Sequence, residues 1–92
     1  MKVQNMTTSA GNTAANQFII FDSEYTAFQS YDSVIVKTVF EDGKRQVYLD
    51  NDTWNYSVTT SRYRNQFLGE TTKETQAKID SGEYILTDLN GW

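Results

Sequence analysis

The sequence predicts a small α+β domain, in which an antiparallel sheet of about five to six strands carries two short consecutive helices on one face. Three features predict it: an Asp-Gly turn at residues 42–43, strand-length apolar runs around that turn, and two capped helical segments further along the chain. A chain of 92 residues is long enough for one domain but buries only a thin core.

Polar residues dominate the first part of the chain. We expect residues 1–16 to form a flexible N-terminal leader and residues 17–92 to form a single α+β domain. The leader lacks the apolar run of a signal peptide, and no later segment is as apolar as a membrane span. We therefore expect a cytoplasmic protein with no membrane partner.

The clearest element is a β-hairpin whose turn is Asp42-Gly43. Glycine accepts a positive φ without penalty and aspartate tolerates it, as a two-residue hairpin turn requires. Centring the turn there pairs Phe40 with Arg45, Thr38 with Val47 and Val36 with Leu49. One face of the hairpin then carries Val34, Val36, Phe40, Val47 and Leu49. The other face is mixed and carries Ile35, Lys37, Val39, Gln46, Tyr48 and Asp50.

Further strands are expected on both sides of this hairpin. Gln17–Asp22 and Tyr25–Tyr31 have the length and composition of a first hairpin. In Thr53–Val58, apolar residues alternate with polar ones, which is typical of a strand. Tyr84–Leu89 is the expected closing strand.

Two helices are expected before that closing strand. Hydroxyl side chains at residues 59–61 offer caps for a helix that runs to Leu68, and Gly69 follows at the position of a left-handed C-cap. Thr71 and Glu74 have the spacing of a capping box, which marks the start of a second helix.

Composition excludes several kinds of site. The chain has no cysteine and no histidine, which removes thiolate metal ligands and the commonest general base. It has no glycine-rich phosphate loop and no nucleophile–base motif. We therefore expect no enzymatic activity, no catalytic residues, no metal and no cofactor. An enzyme that uses Asp or Glu as its base is a weaker alternative, and a buried carboxylate in a pocket would be its sign.

The start of the first predicted helix is the most suggestive segment for a ligand. Free N–H groups at a helix N-terminus favour anions, and arginine can bind phosphate bidentately. A nucleotide or nucleic-acid phosphate site there would use Thr59, Thr60, Ser61, Arg62 and Arg64, with Tyr56 available for stacking. The same residues also fit an ordinary capped helix, whose arginines pair with Glu70 or Asp50.

The mixed face of the hairpin is a second candidate surface. Lys37, Tyr48 and Gln46 point outward there, and this combination of a cation, an aromatic ring and an amide can contact a partner protein. It equally fits a solvated sheet face. The net charge of −4 argues against a broad basic surface for duplex DNA.

A pattern of short stretches runs through the chain: Tyr56-Ser57-x-Thr59-Thr60, then YRNQFLGE at residues 63–70 and SGEYIL at residues 81–86. From Asn12 onward, the chain resembles a family of short proteins encoded by tailed bacteriophages and mobile elements. That family has no known function, so the resemblance implies a phage origin and no particular activity.

Together these observations predict a small non-enzymatic phage accessory protein that binds a host factor in the host cytoplasm, including a component of an anti-phage defence system. A nucleic-acid or nucleotide binder is the alternative. The expected partner is accordingly a host protein, or else a nucleic acid or nucleotide. A homo-oligomer is also compatible with so thin a core.

Overall fold

The computed structural model describes residues 1–91, which form six strands and two helices. In chain order these are β1 (Lys2–Thr7), β2 (Thr13–Phe21), β3 (Tyr25–Ser30), β4 (Ser33–Glu41), β5 (Lys44–Asp50), α1 (Val58–Leu68), α2 (Thr72–Asp80) and β6 (Tyr84–Thr87).

All six strands belong to one sheet, in the order β1-β2-β3-β4-β5-β6. The first five form an antiparallel meander in which each strand pairs with the next. β6 pairs with β5 in parallel, because α1 and α2 form the crossover that a parallel connection needs. The α+β class is therefore confirmed, but the sheet is mixed and not antiparallel throughout.

The segment that we expected to be a flexible leader is part of the sheet. Lys2–Thr7 is strand β1, and β2 begins at Thr13. Val3 lies opposite Ile20 and Asn5 lies opposite Phe18 in the hairpin that joins them. The prediction was wrong for residues 1–16 because a strand at the edge of a sheet is held by main-chain pairing with one neighbour and can be polar on both faces.

The Asp42-Gly43 hairpin is confirmed. Asp42 and Gly43 both adopt positive φ, at 53° and 77°. The register of β4 and β5 is the predicted one, and three of the predicted core residues are buried, namely Val36, Val47 and Leu49.

Two residues of this hairpin lie differently from the prediction. Ile35 is fully buried, although it was assigned to the mixed face. A β-bulge in β4 interrupts its pairing with β3: Phe28 lies opposite Val36 and Gln29 opposite Val34, so that Ile35 between them is the extra residue. Such a bulge changes the direction of the side chains in the bulged strand. Phe40 was assigned to the core but is 79% exposed, because it lies near the turn at the end of β4.

No strand forms at Thr53–Val58. The chain turns after Asp50, whose carboxylate accepts the backbone N–H groups of Asp52 and Thr53. Helix α1 then starts at Val58, and its N-cap is Ser57 and not one of the hydroxyls at residues 59–61. Local side-chain hydrogen bonds at Asp50 and Ser57 therefore outweigh the strand-like alternation of this segment.

Both helices pack on one face of the sheet, which we call the helix-covered face. The ring of Phe67 in α1 stacks on Phe28 of β3 at a centroid distance of 6.0 Å. The predicted C-cap at Gly69 and the Thr71–Glu74 capping box are both present. The buried apolar cluster of this face consists of Met6, Ala14, Phe28, Ile35, Val36, Val47, Leu49, Tyr63 and Tyr84. Within residues 1–91, neither helix has the length and apolar character needed to cross a membrane.

Candidate functional site

Neither α1 nor α2 lies over the opposite face of the sheet, which we call the outer face. Neighbouring residues along a strand point to opposite faces, so Ala27 faces outward where Phe28 faces the helices. Cross-strand pairing then aligns one outward row across all six strands: Val3, Ile20, Ala27, Lys37, Tyr48 and Ile85. Val3 and Ile85, at the two ends of the row, are exposed, Ile20, Lys37 and Tyr48 are half-buried, and Ala27 is buried. The row is thus largely apolar and only partly accessible.

All three predicted partner-surface residues lie on this face. Lys37 and Tyr48 are direct cross-strand neighbours. The Lys37 ammonium lies 4.8 Å from the centroid of the Tyr25 ring. The Tyr48 hydroxyl donates to Glu41 at 3.0 Å, and this hydrogen bond raises the pKa of Tyr48. The Gln46 side chain is already hydrogen-bonded, because its amide donates to the main-chain oxygen of Glu83 at 3.1 Å.

A shallow depression opens beside this pair. It has a volume of about 310 Å³ and is lined by Lys37, Val39, Glu41, Tyr48, Thr87 and Leu89. Thr87 and Leu89 form one wall. Asp50 accepts the N–H of Leu89 at 2.9 Å, and the Asn90 side-chain amide pairs with both backbone groups of Val34 at 2.8 and 3.0 Å. These contacts fix the wall in place.

The residues predicted for an anion site divide into two sets. Tyr56, Thr59 and Arg62 are exposed, and Ser61 is half-buried. The other two are buried, because Thr60 and Arg64 lie on the side of α1 that faces the sheet. Thr60 contacts Ser30 of β3, with 2.9 Å between their hydroxyl oxygens. Two of the six predicted residues therefore belong to the core and four to the surface.

Arg64 is fully buried, and oxygens that carry no formal charge hold it. Its guanidinium donates to the main-chain oxygen of Trp54, and it lies 5.2 Å from the centroid of the Trp54 ring. Further bonds reach Asn65 at 2.9 Å and Thr72 at 2.8 Å. Burial lowers the pKa of Arg64, and the nearby charge of Glu70 opposes this shift. Within residues 1–91, neither Arg62 nor Arg64 forms an ion pair, so their predicted pairing with Glu70 or Asp50 is absent from that part of the chain.

A cleft of about 550 Å³ lies at the start of α1. Tyr56, Ser61 and Arg62 contribute to its lining, so the structure does bring these three predicted residues together. Asn55, Asn65 and Thr72 also line it, and all three accept hydrogen bonds from the buried Arg64 guanidinium. The cleft therefore has a neutral polar lining backed by a buried positive charge.

Glu70 is a central residue that the sequence indicated only as a partner for arginine. Its carboxylate accepts hydrogen bonds from Thr75 at 2.5 Å, Lys78 at 2.9 Å and Tyr84 at 2.7 Å. Burial alone would raise the pKa of Glu70, but these donors outweigh it and the pKa is lowered. Glu70 lies in the link between α1 and α2, and its spacing of eight residues from Lys78 of α2 is not a local sequence signal, which is why the pair was missed.

Neither buried carboxylate has the properties of a general base. Asp50 is 3% exposed, and burial would raise its pKa, but bonds from the Thr53 hydroxyl, the Leu89 N–H and other donors lower it. A base that works near neutral pH needs the opposite shift. Among residues 1–91, no group of three or more acidic side chains is arranged to hold a metal ion.

Fold and surface together define a class of protein: a two-layer α+β domain with a six-stranded mixed sheet, one helix-covered face and one outer face. The chain belongs to the family of unknown function DUF8033, whose family model matches residues 1–83. The matched range includes β1, which supports its place in the domain. No curated protein and no solved structure matches the chain.

Proposed function

We propose that this chain is a non-enzymatic binding protein and that the outer face of its sheet contacts another protein. One observation carries the proposal: a row of mostly apolar and partly exposed side chains crosses all six strands, and neither α1 nor α2 covers it. Contiguous exposed apolar patches on soluble domains are typical of interaction sites.

Lys37 supports a particular chemistry for the partner. Within residues 1–91, no carboxylate lies within 4.0 Å of its ammonium. Its neighbours across the strands are Ala27 and Tyr48, so the charge lies among small and aromatic side chains. An apolar protein surface that carries an exposed carboxylate complements this arrangement.

The resemblance to short phage-encoded proteins supports an identity for the partner. A phage protein that acts in the host cytoplasm meets host proteins there. The proposed partner is therefore a host factor, including a component of an anti-phage defence system.

Capture from host lysate with matched variants tests the proposal. The parent chain and Lys73→Glu, which makes the same charge change on exposed α2, should retain the same host protein. Lys37→Glu combined with Tyr48→Ala should lose that protein while it keeps the parent's far-ultraviolet circular dichroism. Equal capture by all three proteins, or capture of nothing by the parent, would count against the outer face as the binding surface.

A second candidate function is the binding of a phosphate-bearing ligand, a nucleotide or nucleic acid, in the cleft at the start of α1. The observation that favours it is the exposed Arg62 guanidinium beside a lining that the buried Arg64 charge polarises. Backbone N–H groups of the first helical turn add a partial positive charge.

Amide NMR shifts test this function when the protein is titrated with inorganic phosphate, cyclic nucleotides and single-stranded oligonucleotides. Shifts in the parent that centre on residues 56–62 and vanish in Arg62→Glu would support it. Arg45→Glu is the control, because Arg45 is exposed in β5 and does not line the cleft. Arg64 is unsuitable as a test position, since replacing a fully buried guanidinium changes the fold's stability as well as the cleft.

A further inference from the structure

We propose that the free edge of β1 pairs with β1 of a second copy of this chain, so that two sheets join into one. Within residues 1–91, β1 is the first strand in the sheet order and pairs with β2 alone. A strand in this position presents unpaired main-chain N–H and C=O groups. This inference does not rest on the proposed function of the outer face.

The hydrogen bonds of the meander show which groups of β1 point outward. Tyr31 N–H donates to Asn16 at 2.7 Å and Asp22 N–H donates to Tyr25 at 2.9 Å, so even-numbered residues of β2 bond to β3. Hydrogen-bonding direction alternates along a strand, so odd-numbered residues of β2 bond to β1. Their partners include Gln4, opposite Ile19. The backbone groups of Val3 and Asn5 therefore point away from the sheet.

This edge has few of the features that normally prevent edge-to-edge pairing. Lys2 is the one charged residue of β1, and residues 3–21 include no charge and no proline. The register shift in the β1–β2 pairing lies beyond Asn5. Natural edge strands are usually protected by charged side chains, by proline or by short length. The opposite edge is protected by length, since β6 has four residues where β1 has six.

The strand is also complementary to itself. Two identical strands can pair antiparallel about a two-fold axis, which gives a closed dimer. When the axis passes beside Gln4, Val3 of each copy faces Asn5 of the other, and these outward groups exchange hydrogen bonds. Lys2, the charged residue of β1, then lies opposite Met6 and not opposite a second Lys2. No like charges meet in this register.

Disulfide trapping tests the register, because the chain has no cysteine of its own. In the proposed pairing, residue 4 faces its own copy in a non-hydrogen-bonded pair with Cα atoms about 4.5 Å apart, within disulfide range. Gln4→Cys should therefore form a covalent dimer under mild oxidation many times faster than Val3→Cys. Both positions are exposed, so access does not distinguish them. Equal rates would overturn the register and the proposal with it.

Mass measured by light scattering over a range of concentrations tests the pairing itself. The parent mass should rise from 10.6 kDa towards twice that value and no further. Val3→Pro removes an outward N–H but no bond to β2, so it should remain at the monomer mass. Val3→Ala keeps the N–H and should behave as the parent does. A parent that stays monomeric, forms open-ended assemblies, or dimerises equally well as Val3→Pro would overturn the proposal.

Discussion

The two faces of the sheet are built from the same six strands but hold their polar residues in opposite ways. On the helix-covered face, the Thr60 hydroxyl and the Glu70 carboxylate are buried and bonded. On the outer face, Lys37 has an aromatic neighbour and Tyr48 one exposed carboxylate partner. Polar residues therefore stabilise the first face, whereas Lys37 and Tyr48 of the second remain partly exposed; Asp50, buried on the same side of β5, is the exception.

Matched phenylalanines give the largest expected difference between the faces. Phe28→Ala should lower the free energy of unfolding by about 3–5 kcal/mol, because it removes a fully buried ring. Phe18 lies in the neighbouring strand on the outer face and is half-buried. Phe18→Ala should cost only about 1 kcal/mol. Urea denaturation measures both, and equal losses would show that the outer face is as important to stability as the core.

The second-largest difference in stability is expected between substitutions of the two arginines predicted to bind an anion, Arg62 and Arg64. Arg64→Met removes a fully buried guanidinium that donates to several partly buried oxygens, including that of Trp54, and should cost about 2–4 kcal/mol. Arg62→Met alters an exposed residue and should change stability by less than about 0.5 kcal/mol. Thermal unfolding of the two variants provides the comparison. A neutral Arg64→Met would contradict its structural role.

Acid should destabilise the domain through the two buried carboxylates. Hydrogen bonds lower the pKa of Asp50 and of Glu70 below their ordinary values of 3.8 and 4.5. Their contribution to stability is therefore fully present above those values and is lost as pH falls through the lower folded-state pKa. Glu70→Gln should be less stable than the parent at neutral pH and should lose less stability on acidification. Urea midpoints at pH 7 and at about pH 3 test this, and parallel losses in both proteins would exclude Glu70 as a source.

The smallest expected effect is at Tyr48. Its hydrogen bond to Glu41 raises its pKa, so the parent should retain one late-titrating tyrosine that Tyr48→Phe lacks. The bond stabilises the fold below the ordinary phenol pKa of 10.0, and that contribution is lost as pH rises through the raised value. Because this hydrogen bond is exposed to solvent, Tyr48→Phe should not change the free energy of unfolding measurably near neutral pH. Ultraviolet absorbance during alkaline titration follows the phenol, and an unchanged titration curve would contradict the contact.

Local chemistry made most of the fold predictable. The Asp42-Gly43 turn, the Thr71–Glu74 capping box and the Gly69 C-cap each depend on residues close together in sequence, and each is present. The expected element order also agrees with the structure, but for a partly wrong reason. The five strands before the helices include β1, which we did not predict, and exclude Thr53–Val58, which we did.

The errors share a physical cause, since each depends on partners that are distant in sequence. β1 is a strand only because β2 pairs with it, and the burial of Ile35 follows from a bulge against β3. Arg64 seemed available for a ligand because its position in the first turns of α1 does not reveal the acceptors at Trp54 and Thr72. The outer-face residues Lys37 and Tyr48 were placed correctly because one hairpin register determines both.

The parallel pairing of β6 has a consequence for the order of folding. The meander of β1–β5 consists of neighbouring strands, so its contacts close short loops. By contrast, Val47 pairs with Tyr84 and Val34 pairs with Asn90, which lies 56 residues later. Closing such long loops is entropically costly and slow. We therefore expect the meander to form first and the segment from α1 to Asn90 to dock last, which makes that segment the first to exchange its amide hydrogens when the domain opens.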